Sequence, residues 1–139
     1  MNRILVTGAR GQLGSDLVSA LRQQYGAENV IESGWRAVSQ QTRLGTYEIL
    51  NVTDRAQLQT LIQRHHIDTV YHLAGVLSAK GEQHPDRCWD VNVNGLRNVL
   101  EAAKSLGLRV FFPSSIAVFG PHTPKLDTPQ VTVEDPTTI

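Results

Sequence analysis

The chain reads as an α/β protein, a doubly wound parallel sheet covered by helices. Three observations predict it. Short, β-branched apolar runs alternate with longer segments of helical period. Those runs read as strands buried on both faces. The first run ends in three glycines, Gly8, Gly11 and Gly14, spaced G-x-x-G-x-x-G between a strand and a helix.

Taken in order, Arg3 to Thr7 is the first strand, ending at glycine. Leu13, Leu17, Val18 and Leu21 repeat at helical spacing, which predicts a helix from about Gln12 to Tyr25, closed by Gly26. Asn29 to Ser33 is the second strand, Gly34 to Thr46 a polar loop, and Tyr47 to Asn51 the third strand. Thr53 or Asp54 can cap the next helix, whose apolar face carries Leu58, Leu61 and Ile62. Asp68 to Leu73 is the fourth strand. A loop runs on to Pro85, which suits a first helical turn. Trp89, Val93, Leu96, Leu100 and Ala103 form the expected buried stripe of a long helix ending near Gly107. Leu108 to Pro113 is the fifth strand, and a polar, proline-rich stretch follows to Ile139.

Right-handed crossovers leave a strand order of 3-2-1-4-5, the Rossmann arrangement. Ligands in such sheets bind outside the carboxyl ends of the strands, at the switch point between strands one and four. The functional segments are therefore those after Thr7, Ser33, Asn51, Leu73 and Pro113.

Composition narrows the partners. With 139 residues, one domain with a real core is expected. Basic and acidic residues balance at 13 each, so nothing favours nucleic acid or a membrane surface. No apolar run approaches the roughly 20 residues of a membrane span. The strand begins too early for a signal peptide, and Cys88 as the sole cysteine suits a reducing cytoplasm. Cys88 itself reads as a small helix residue.

The glycine pattern carries the chemistry. Gly8 lets the strand turn sharply, Gly11 lets backbone approach a pyrophosphate, and Gly14 lets the helix pack on the sheet. The helix start then offers N–H groups and a positive dipole to phosphate. About 20 residues further on, an acid normally holds the adenosine ribose hydroxyls. That place falls at Gly34, and Glu32 is the nearest acid. A charged hydrogen bond contributes roughly 1.5–3 kcal/mol, so its loss weakens NAD binding by about 10- to 150-fold. Arg10 and Arg36 stand where they can reach a ribose 2′-phosphate, so NADP is an alternative cofactor, although both also read as solvated loop residues. Asn51-Val52 offers an amide to the adenine edge, and His72-Leu73-Ala74-Gly75 ends the fourth strand with small residues. His72 reads as a strand histidine facing a helix, not as a base. The histidines lack ligand spacing, so no metal site is expected. Ser114 and Ser115 face the crevice after strand five, with no His or Asp placed to make either a nucleophile. Hydrogen bonding to a reacting oxygen is the more plausible role.

Together Thr7-Gly8-Ala9-Arg10-Gly11-Gln12-Leu13-Gly14, His72-Leu73-Ala74-Gly75, the helix run from Asn92 to Ala103 and Ser114 to Gly120 resemble the extended short-chain dehydrogenase/reductase family, which includes the NAD-dependent epimerases and dehydratases. Ala74 to Ala79, Ser114 to Pro121, Thr123-Pro124 and Asp135 to Thr138 resemble most its short-chain L-threonine 3-dehydrogenase branch. The resemblance covers essentially the whole chain. It implies oxidation of the threonine β-hydroxyl, a small-molecule substrate, to 2-amino-3-oxobutanoate, with hydride passing to NAD. It implies that Gly8, Gly11, Gln12, Leu13, Gly14, Asn51, Val52, Leu73, Ala74, Gly75 and Asn92 hold NAD. By the same resemblance Ser115 bonds the reacting hydroxyl, while Ser78 and Ser114 line the substrate pocket. A nucleotide-sugar enzyme of the same family and a non-catalytic nucleotide-binding module are the other readings.

Two departures concern adenosine: Gly34 and Asn51 stand where the family has acids. A third concerns catalysis. The family's Tyr-x-x-x-Lys pair supplies the proton-transferring tyrosine and the lysine that lowers its pKa. Tyr25, Tyr47 and Tyr71 are followed at the fourth position by Asn29, Asn51 and Gly75. By the family's spacing the tyrosine falls just after Ile139, so the carboxy-terminal, substrate-binding part is expected to be missing, and these residues alone to lack turnover. The relatives pair through the long helix after strand four and the helix carrying the tyrosine. Only the first is present, and a homodimer stays open.

Overall fold

The computed structural model describes residues 2–37, 45–115 and 118–128, apart from the side chains of residues 78 and 80. Its strands are β1 Ile4–Thr7, β2 Val30–Gly34, β3 Thr46–Ile49, β4 Thr69–His72 and β5 Arg109–Phe111. They form one parallel sheet in the order β3-β2-β1-β4-β5, the predicted Rossmann order. The helices are α1 Gln12–Tyr25, α2 Arg55–Arg64, α3 Ser78–Gln83, α4 Pro85–Trp89 and α5 Gly95–Leu106. A π-helical turn, Asp90–Asn94, joins α4 to α5, and Trp89, Asp90, Asn94 and Gly95 all keep right-handed helical backbone.

Alternation along the strands divides the core between two faces. Ile4, Val6 and Val30 pack with Val18 and Leu21 of α1. Leu5, Ile31 and Val70 pack with Leu58, Leu61 and Ile62 of α2 and with Val99 and Ala102 of α5. In β1 and β2 both faces are covered, so successive residues are buried, whereas β3 and β5 at the sheet's edges stay partly exposed. Each fully buried Leu, Ile or Val contributes roughly 1.5–3 kcal/mol of transfer free energy. Asp54, not Thr53, caps α2: its carboxylate accepts the Gln57 N–H at 2.9 Å. The Thr53 hydroxyl donates instead to Asn51 Oδ1 at 2.9 Å.

Strand ends differ from the sequence reading by one or two residues. Two differences are larger. The expected loop before Pro85 contains α3. The long helix also buries a different stripe. Trp89, Val93 and Leu100 are exposed, at 60%, 41% and 49%. Cys88, Gly95, Val99 and Ala102 face inward, with Asn92 half-buried between them. The two stripes have the same spacing, displaced by one residue, so periodicity alone cannot choose between them. Space decides: a Cβ on Gly95 would stand 2.8 Å from Val52 Cγ2. The helix lies too close to its neighbours for large side chains, and the small ones face in. Among the described residues no helix is long and apolar enough to cross a membrane.

Candidate functional site

β1 and β4 lie side by side, with Thr7 opposite His72, and their chains part at the carboxyl ends. Gly8 makes the first turn with φ +65°, a conformation other residues adopt only with strain. A Cβ there would lie 2.7 Å from the backbone of Leu73 and Ala74. A Cβ on Gly14 would lie 2.5 Å from the Gly8 carbonyl oxygen. The loop between them closes through the Gly11 N–H, donated to Gly8 O at 3.0 Å. Gly11 itself has only that oxygen near its missing Cβ, at 3.3 Å, and the rest is open space. No side chain caps α1. Its first-turn N–H groups, at Gln12 and Leu13, have no helical carbonyl to bond and are available to an anion.

The far wall is tied to this turn. The Thr7 hydroxyl accepts the Ala74 N–H at 3.3 Å and sits 2.8 Å from His72 Nδ1. His72 is fully buried, and burial pushes its pKa down to about 4. The neutral ring links β4 to β1, and among the described residues its Nε2 has no partner. Asn92 clamps the following loop. Its side-chain oxygen accepts the Val76 N–H at 2.7 Å, and its amide donates back to Val76 O at 3.0 Å.

These segments enclose a cleft of about 760 Å³. Gly8, Gly11, Asn51, Val52, Leu73, Ala74 and Gly75 line it, whereas Gln12, Leu13 and Gly14 of the same expected set lie outside the lining. Asn51 Oδ1 is occupied by Thr53, and its amide NH₂ has no partner among the described residues. Asn92 is not in the lining but supports it. Ser114 and Ser115 follow β5 at the same end of the sheet, exposed and outside the lining. Ser78 begins α3, and its side chain lies outside the described residues. Ile116, Ala117 and Asp135 to Thr138, which carry part of the resemblance, lie outside them too. Among the described residues no group of three or more His, Cys, Asp or Glu could hold a metal ion.

At the end of β2 the cleft is cationic. Arg10, Arg36 and Arg87 line it with the aromatic rings of Trp35 and Tyr47. The Arg10 guanidinium lies 5.0 Å from the Tyr47 ring centre. Those of Arg36 and Arg87 lie 4.2 Å and 5.0 Å from that of Trp35. Glu32 is absent from this lining: it faces α1, buried, with Arg22 at 2.6 Å and Arg10 at 3.5 Å. Burial raises the Tyr47 pKa, with Arg10 opposing and Glu32 adding to the rise. Trp35, Tyr47 and Arg87 were not foreseen. Trp35 lies in the expected loop and Tyr47 just after it, and both were legible as candidates, whereas Arg87 arrives from a helix distant in sequence.

Comparison with known proteins follows the same lines. The pattern of the NAD dependent epimerase/dehydratase family matches residues 4–138. An uncharacterized epimerase/dehydratase of Staphylococcus saprophyticus is 45% identical over all of this chain and 44% of its own length. The structure superposes on the L-threonine dehydrogenase of Clostridium difficile with a TM-score of 0.94 and 46% identity, covering 99% of this chain and 44% of that one. The GalE-like L-threonine dehydrogenase of Cupriavidus necator, in its holo form, gives 0.93 and 51%, covering 98% and 44%. The chain thus spans less than half the length of the proteins it matches.

Proposed function

The chain belongs to the NAD-dependent epimerase/dehydratase family, and from that premise we propose that it carries the cofactor cleft of an enzyme oxidising the β-hydroxyl of L-threonine. The observation that carries the choice of substrate is the likeness, along nearly the whole chain, to solved threonine dehydrogenases. The cleft fits the cofactor class. Gly8 and Gly14 bring backbone together where no Cβ has room, and Gly11 leaves the turn open. A pyrophosphate would be held by the N–H groups at the start of α1, and adenine by the Asn51 amide. Bound there, a nicotinamide dinucleotide supplies the hydride acceptor.

Ser115 is assigned a hydrogen bond to the reacting oxygen, and Ser114 and Ser78 the substrate side. Proton transfer is assigned to none of the three tyrosines here. Tyr47 donates to Arg36 O at 2.7 Å, and its raised pKa is the wrong direction for a base at neutral pH. The expected acid/base is a tyrosine beyond these 139 residues.

Purified protein, with its intact mass determined, tests this by threonine-dependent reduction of the nicotinamide. In the full-length enzyme, Ser115→Ala should lower kcat by about a hundredfold, with the melting temperature unchanged. A full-length enzyme that ignores threonine and transforms a nucleotide sugar would replace the reading.

A further inference from the structure

We propose that the cationic end of the cleft is a 2′-phosphate site, so that the protein takes NADP in preference to NAD; this rests on the dinucleotide reading above. The position that normally holds the ribose hydroxyls is Gly34, and its glycine has a steric cause. A Cβ at Gly34 would stand 2.7 Å from the Tyr47 hydroxyl. That hydroxyl is itself held by Arg36 O at 2.7 Å. An aspartate at position 34 would have to displace Tyr47 and break this bond. The nearest acid, Glu32, is buried outside the cleft's lining, where it pairs with Arg22 and Arg10. No carboxylate is therefore left at this end to receive the two ribose hydroxyls of NAD.

What stands there instead is a pair of guanidinium groups outside any ion pair among the described residues. Arg36 and Arg87 share the half-exposed indole of Trp35, one from the loop after β2 and one from α4. Among the described residues neither has a carboxylate within ion-pair distance, and residues 38–44, which follow in sequence, include Arg43 and no acid. Asp90 is the cleft's acid, and it accepts from Asn94 at 2.8 Å. Two guanidinium groups on one ring repel each other, and an anion between them offsets that repulsion. A phosphate suits the planar, multi-donor guanidinium best. The two arginines come from segments 51 residues apart in sequence, so the site exists only in the folded chain.

The test is calorimetric titration of the purified protein with NAD, NADP, ADP and adenosine 2′,5′-bisphosphate. NADP should bind at least about tenfold more tightly than NAD, and the bisphosphate more tightly than ADP. Arg36→Ala and Arg87→Ala should each cut the NADP-to-NAD affinity ratio by about tenfold, with melting temperatures near that of the parent protein. Gly34→Asp combined with Tyr47→Phe, which removes the clashing hydroxyl, should turn the preference toward NAD. Equal or tighter binding of NAD, or arginine variants that leave the ratio unmoved, overturns the proposal and leaves the dinucleotide reading standing. Failure of both dinucleotides to bind overturns both.

Discussion

His72 carries the clearest pH signature in the chain. Its folded pKa of about 4 lies below the unfolded value of about 6.5, so between them the unfolded chain binds the extra proton. Its contribution to stability is complete above about pH 6.5 and is lost as pH falls toward 4, by on the order of 3 kcal/mol. Urea unfolding measured across that window should show the loss, and His72→Gln should flatten the slope. Gly14 is tested sterically. Its missing Cβ would meet the Gly8 carbonyl at 2.5 Å, so Gly14→Ala should cost about 1–3 kcal/mol and loosen the turn that lines the cleft. Both effects should register together, as a lower denaturation midpoint and weaker dinucleotide binding. The glycines were legible in the sequence because their spacing reflects a local need for backbone contact. His72 was legible as a strand histidine facing a helix, but its partner was not, because the Thr7 hydroxyl that meets it belongs to a strand 65 residues away.

At the level of the element, the long helix is the instructive case. Its sequence offers two stripes of equal period, and the bulkier one is exposed. Val99 is fully buried against the sheet, and Leu100 is half-exposed on the other face. Val99→Ala should therefore cost about 2 kcal/mol, and Leu100→Gln within about 0.5 kcal/mol. Chemical denaturation of the two variants reads the difference directly, and the opposite ranking would restore the bulkier stripe to the core. The strands and α1 were legible because their patterns admit one solution. A strand covered on both sides needs no choice of face, and α1 has a single apolar stripe ended by glycine.

For the molecule as a whole, a dinucleotide bound in the proposed cleft should couple folding to ligand. A dinucleotide at a hundredfold excess over its Kd should stabilise the fold by about 2.7 kcal/mol. For a chain of this size that raises the melting temperature on the order of 10 °C. Expressed as these 139 residues alone, the chain should show that shift and yet give no threonine-dependent reduction, because none of Tyr25, Tyr47 and Tyr71 has a lysine four positions on. Turnover by the isolated chain would require a different proton acceptor.

The sequence by itself determined the sheet, its strand order and the glycine turn at the end of β1. Each follows from local rules: apolar runs buried on two faces, right-handed crossovers, and glycines where backbone meets backbone. Only the tertiary structure decided which face of the long helix is buried, that Glu32 is held by Arg22 outside the cleft's lining, and that Arg87 joins Arg36 on Trp35. Those outcomes depend on distances between segments remote in sequence, and no local pattern of residues records such distances.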